Sequence, residues 1–140
     1  TFGPGLKEDD GRSFADFIWA AAKGKPITLN SDGSAIRTFL YLEDAVAALL
    51  TILKKGQSGD IFNVGSERPI TILEFARETS FVSGAPLDLT TPSPAAANYE
   101  QSPNKSIVPS SGKLIELGWE EMTNLQDAIQ RTIDWAKAQV

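Results

Sequence analysis

The sequence predicts an α/β domain of short strands and about five helices, and three observations carry that reading. Several stretches space their apolar residues at helical intervals, shorter stretches alternate or cluster β-branched and aromatic residues, and glycine and proline punctuate the joins. At 140 residues the chain suits one domain with a usable core, and not two.

Thr1-Phe2-Gly3-Pro4-Gly5 is turn chemistry, and the chain opens as though a preceding strand had been removed. From Ser13, a plausible N-cap, Phe14, Phe17, Ile18, Ala21 and Ala22 fall on one helical face, and Gly24 with Pro26 ends the helix. Ile27 to Asn30 and Ile36 to Tyr41 read as two strands joined in a hairpin by Ser31-Asp32-Gly33-Ser34. Alternation puts Arg37, Phe39 and Tyr41 on one face of the second strand. Glu43 to Lys55 reads as a helix apolar on nearly every side, which implies burial on more than one side. Ile61 to Val64 reads as a buried strand ended by Gly65. Thr71 and Glu74 form a capping-box pattern ahead of a helix with Phe75, Ala76, Thr79 and Val82 inward. A short strand follows at Leu87 to Leu89, then a long loop from Thr90 to Ser106 without clear period. Ser110 or Ser111 starts a brief helix through Leu117, closed by Gly118, and Asn124 caps a last helix with Leu125, Ala128, Ile129, Thr132, Ile133 and Ala136 inward.

Composition narrows the function classes. A net charge of −5 argues against a nucleic-acid partner, so an anionic ligand must be met by local cations. No apolar run approaches the roughly 20 residues that span a bilayer, so no membrane partner is expected. Cysteine and histidine are both absent, which removes thiolate and imidazole metal ligands and the commonest general base. A cytoplasmic location is the expectation these features allow. No G-x-G-x-x-G or P-loop spacing occurs, so no cofactor-binding fingerprint is present and the chain alone is not expected to be catalytic.

The order of motifs resembles the C-terminal third to half of extended short-chain dehydrogenase/reductases, the NAD-dependent epimerase/dehydratase family. Within it the pattern is most similar to nucleotide-sugar epimerases, dehydratases and UDP-glucuronate decarboxylases. The match runs from Phe2-Gly3-Pro4-Gly5 through Gly24-Lys25-Pro26-Ile27 and Asp32-Gly33 to Arg37-Thr38-Phe39-Leu40-Tyr41-Leu42-Glu43-Asp44. It continues with Phe62-Asn63-Val64-Gly65-Ser66, Lys113-Leu114, Leu117-Gly118-Trp119, and Leu125 through Thr132-Ile133 to Trp135.

The resemblance implies the substrate-binding part of such an enzyme over residues 1–140, with NAD held by an N-terminal Rossmann domain absent from this sequence. It also implies a catalytic Y-x-x-x-K, which neither tyrosine supplies: Ala45 stands four residues after Tyr41 and Pro103 four after Tyr99. The expected partners are a nucleotide-diphosphate sugar, the chain's own Rossmann domain and a second copy in a homodimer. Arg37 occupies the strand position whose arginine grips the substrate diphosphate in the family, and a guanidinium fork suits phosphate oxygens. Lys105 is the weaker second cation, in a stretch where relatives carry another arginine before an Asp-x-Ser-Lys motif that this chain lacks. Phe39 and Tyr41 share the Arg37 face and could touch a pyrimidine ring. Asp44 reads as a helix cap, Lys113 as solvated, Asn63 and Gly65 as structural, and Phe14, Phe17, Trp119 and Trp135 as core. Two other readings fit the residues: a non-catalytic sugar-nucleotide-binding or interaction module, and the substrate part of an NADP-linked reductase that needs no phosphate clamp.

Overall fold

Residues 1–90 and 104–140 are described by a computed structural model of the chain. The first helix, α1 (Ser13–Ala22), buries Phe14, Phe17, Ile18 and Ala21 as their spacing predicts, and Trp19 beside them. Its N-cap is Arg12 and not Ser13. The backbone is still extended at Arg12, whose carbonyl already accepts from the N–H groups of Ala15 and Asp16. No side chain caps this end.

Helix α1 packs against two later helices, α3 (Ile72–Ser83) and α5 (Leu125–Lys137), to make the principal core. Phe17, Ile18, Phe75, Ile129 and Ile133 are each at most 1% exposed there. Both later helices start where the sequence says. Thr71 Oγ1 accepts from the Glu74 N–H at 3.0 Å while the Glu74 carboxylate accepts from the Thr71 N–H at 2.7 Å. Asn124 Oδ1 accepts from the Asp127 N–H at 2.9 Å. The inner faces hold Phe75, Ala76 and Thr79 on α3, and Ala128, Ile129, Thr132, Ile133 and Ala136 on α5. Val82 and Leu125 pack against this core partly buried.

The strands depart from expectation. β1 (Ile27–Thr28) and β2 (Ile36–Thr38) do not form a hairpin. β1 pairs in parallel with β4 (Leu87–Asp88), whereas β2 pairs antiparallel with β3 (Pro69–Thr71), Arg37 opposite Ile70. The turn between β1 and β2 explains this. Asp32 accepts from the Ser34 N–H, and the Gly33 carbonyl accepts from the Leu73 N–H at 3.0 Å, so the turn is fastened to the start of α3. Gly33 has φ +72°, and a Cβ there would lie 2.6 Å from the Leu29 side chain. Only glycine meets both conditions without strain. Beyond Thr38 the expected strand gives way to a single bridge, Tyr41 beside Phe2.

Helix α2 (Leu42–Lys55) buries only Asp44 and Ala48. Ala48 joins a second, smaller cluster with Leu40, Leu114 and Trp119, flanked by Ala45, Ile52, Phe62 and Val64. The predicted buried strand at Ile61 to Val64 is neither paired nor buried throughout: Ile61 is 84% exposed and only Phe62 and Val64 pack inward. Its backbone has no ladder partner among the described residues, and Asn63 donates instead through its side chain to the Ser110 carbonyl. The short helix α4 (Gly112–Glu116) follows Ser111, whose hydroxyl bonds the backbone of Gly65 rather than capping the helix. Gly65 is required for closeness, not for unusual backbone angles, since a Cβ would meet Pro109 at 2.6 Å. Most of the expected Thr90–Ser106 loop lies outside the described residues. No described helix is long and apolar enough to cross a membrane.

Candidate functional site

Arg37 sits in the middle of β2, half-buried, with a neighbouring segment on each side. β3 flanks one side. On the other, the Ile36 N–H donates to the Lys105 carbonyl at 2.7 Å and the Ile36 carbonyl accepts from the Ile107 N–H at 3.2 Å. That ladder brings residues 104 and 105 within reach of the guanidinium. Nη1 donates to the Ile36 carbonyl at 2.7 Å and to the Lys105 carbonyl at 3.4 Å, and Nη2 donates to the Asn104 carbonyl at 3.0 Å. A flexible side chain is thereby held in one place by main-chain acceptors, and ordering it in advance lowers the entropy cost of binding.

Arg37 borders two concavities. One, of about 310 Å³, is lined by Arg12, Phe14, Arg37, Phe39 and Ile72 among others. The other, of about 220 Å³, lies between Arg37, Leu40, Val64, Gly65 and Pro109. Phe39 shares the first cavity with Arg37, but its ring is also seated in the core, 4.3 Å from Phe75 and 5.8 Å from Phe14. Tyr41 faces elsewhere. It is 3% exposed, its burial pushes the phenol above the ordinary range, and the Arg131 guanidinium lies 5.9 Å from its ring centroid. With Phe39 it lines a separate cavity of about 130 Å³, lined also by the Arg68–Glu121 ion pair at 2.6 Å. Lys105 reaches Arg37 through its carbonyl. Its residue is exposed, and its charge acts on Asp32, a carboxyl held low chiefly by the Ser34 N–H.

The sequence reading misses one residue and misassigns another. Arg12 lines the Arg37 cavity, although nothing in its local pattern marks it, because the cavity forms only when the start of α1 meets β2. Asp44 is not a cap. Its carboxylate accepts from the N–H groups of Met122 and Thr123, both at 3.1 Å, while its carbonyl accepts from Trp119 Nε1 at 3.0 Å. Lys113 is exposed but pairs with Asp60 at 2.7 Å and lies over Phe62.

The described residues do not fit a dinucleotide. Its pyrophosphate needs a glycine-rich turn leading from a strand into an open helix N-terminus. β1 leads into β2, β2 leads into α2 through Phe39-Leu40-Tyr41 without a glycine, and β3 meets an α3 whose N-terminus is filled by the Glu74 carboxylate. Among the described residues no cluster of acidic side chains suits a metal ion.

The fold is the α/β arrangement of extended short-chain dehydrogenase/reductases. It superposes on UDP-glucose 4-epimerase from Thermotoga maritima with a TM-score of 0.80 over 99% of this chain and 43% of that one, at 21% identity. It superposes on the Bordetella bronchiseptica enzyme WbmF, solved with NAD+ and UDP, with a TM-score of 0.77 at 25% identity, again over 99% and 43%. Residues 1–65 match the NAD dependent epimerase/dehydratase family. A trifunctional UDP-glucose 4,6-dehydratase/UDP-4-keto-6-deoxy-D-glucose 3,5-epimerase/UDP-4-keto-L-rhamnose-reductase of Arabidopsis thaliana is 34% identical over 85% of this chain and 17% of its own length. A UDP-glucuronic acid decarboxylase of the same plant is 30% identical over 92% of this chain and 36% of its own. The chain is similar to the NAD-dependent epimerase/dehydratase family over residues 1–65 and spans about a sixth to a third of these curated relatives.

Proposed function

We propose that the chain is the nucleotide-sugar-binding portion of an NAD-dependent nucleotide-sugar epimerase, dehydratase or decarboxylase, with the cofactor and proton-transfer groups held by a separate dinucleotide-binding domain. The observation that carries this reading is Arg37, a half-buried arginine tethered by carbonyls at the edge of a cavity of about 310 Å³ in a fold shared with UDP-sugar enzymes. Its role is to hold the diphosphate. Binding energy collected there fixes the sugar for chemistry performed at a distance by other residues. Phe39, on the same cavity, is the aromatic wall; Lys105 stands at the margin of the site, and Tyr41, buried on a separate cavity, lies outside it.

No catalytic residue is assigned within the chain. NAD would supply transient oxidation of the sugar in the complete enzyme, and the exposed apolar side of α2 is the surface on which the dinucleotide-binding domain would rest. Calorimetric titration with UDP tests the reading. Arg37→Ala should weaken binding by about 1.5–3 kcal/mol, the worth of a hydrogen bond to a charged group. An unchanged affinity in a folded variant would remove Arg37 from the site and the proposal with it.

A further inference from the structure

Arg37 brings one positive charge to a diphosphate, which carries more than one negative charge, and Lys105 offers no planar fork to complete the clamp. A second guanidinium stands nearby. Arg12, at the start of α1, lines the same cavity as Arg37, above a floor that includes Phe14, Phe39 and Ile72. Its carbon lies 4.7 Å from the centroid of the Phe14 ring, a cation–π seat that fixes the plane of the fork. Asp10 accepts from Nε and, at 2.7 Å, from Nη2, so the third nitrogen, Nη1, is the one Asp10 does not engage. The Asp10 side chain is 15% exposed against 56% for Arg12, so Arg12 is the more accessible partner of the pair. The helix that follows has no side-chain cap, and its amide end adds a partial positive charge to the same wall.

We infer that Arg12 is the second phosphate-binding cation of the site, using Nη1 on the diphosphate that Arg37 also contacts. The inference rests on the reading above that the ligand is a nucleoside diphosphate. Asp10 is the positioning residue: it holds two of the three guanidinium nitrogens and aims the remaining one. A lysine at this place could not serve both partners in the same way, because an ammonium is a point charge without a fork.

Titrations with UDP and UMP test this, with a circular-dichroism melt to check folding of each variant. Arg12→Ala should weaken UDP about tenfold, the lower end for a partly exposed charged contact, and UMP distinctly less. Arg12→Lys, which keeps the stem over Phe14, should fall between wild type and alanine for UDP, and it carries the test if the alanine variant does not fold. Equal losses for UDP and UMP would make Arg12 structural and overturn the inference. So would an unchanged UDP affinity in Arg12→Ala while Arg37→Ala still weakens binding. An ineffective Arg37→Ala, or a wild-type protein that does not bind UDP, fails the earlier reading instead, whatever Arg12 does.

Discussion

Asp44 is 4% exposed, and its carboxylate ties two stretches of chain far apart in sequence, through the N–H groups of Met122 and Thr123. Removing it takes a charged acceptor from two part-buried donors, and hydrogen bonds to a charged group are worth more than neutral ones. Asp44→Ala should destabilise the protein by about 2–3 kcal/mol in chemical denaturation, whereas a simple helix cap would cost about 1 kcal/mol. The smaller value would show that the clasp is incidental. From sequence alone an acidic residue at the start of a helix reads as a cap, and a partner some eighty residues on leaves no local trace. The place of Arg37 on a strand and beside Phe39 was legible from alternation and from neighbours that match a family pattern. The place of Arg12 was not, since the cavity it lines is assembled by separate elements.

Helices were legible and strand pairing was not. The apolar spacing of α1, α3 and α5 names their inner faces, and Thr71 with Glu74 marks a start that the structure reproduces. Pairing depends on contacts far along the chain, and a turn rich in glycine and serine suits a hairpin as well as the fastening to α3 seen here. The cap of α3 can be tested directly. Thr71→Ala should cost about 1 kcal/mol in thermal or denaturant unfolding; no loss would mean that the cap is redundant. Hydrogen bonds from Thr71 hold the Glu74 carboxyl below its ordinary range. The sign follows: its contribution is full above the unfolded carboxylate range and disappears as pH falls through the depressed folded value. The stability difference between wild type and Glu74→Ala should therefore shrink on acidification. A gap independent of pH would place the effect in helix propensity rather than charge.

At the scale of the molecule, α2 stands apart from the packed trio of α1, α3 and α5. Leu42, Val46, Leu49 and Leu53 recur at the intervals of a helix seam, and Leu49 and Leu53 are 60% and 81% exposed. An apolar stripe of this kind, with Ile61 exposed as well, is ordinarily covered by another surface. On its own the chain should self-associate as concentration rises in sedimentation experiments, and the paired change Leu49→Lys and Leu53→Lys should return it to a monomer. A monomer at high concentration, melting cooperatively and binding no hydrophobic dye, would show that the stripe needs no cover. The division between the two clusters also has an optical consequence. Trp19 and Trp135 meet edge to face in the larger cluster, at 6.0 Å, while Trp119 lies in the smaller one with its indole N–H on the Asp44 carbonyl. Each cluster therefore carries its own chromophore, and the near-ultraviolet signal of Trp119 reports the environment of α2 separately from the indole pair that reports the rest.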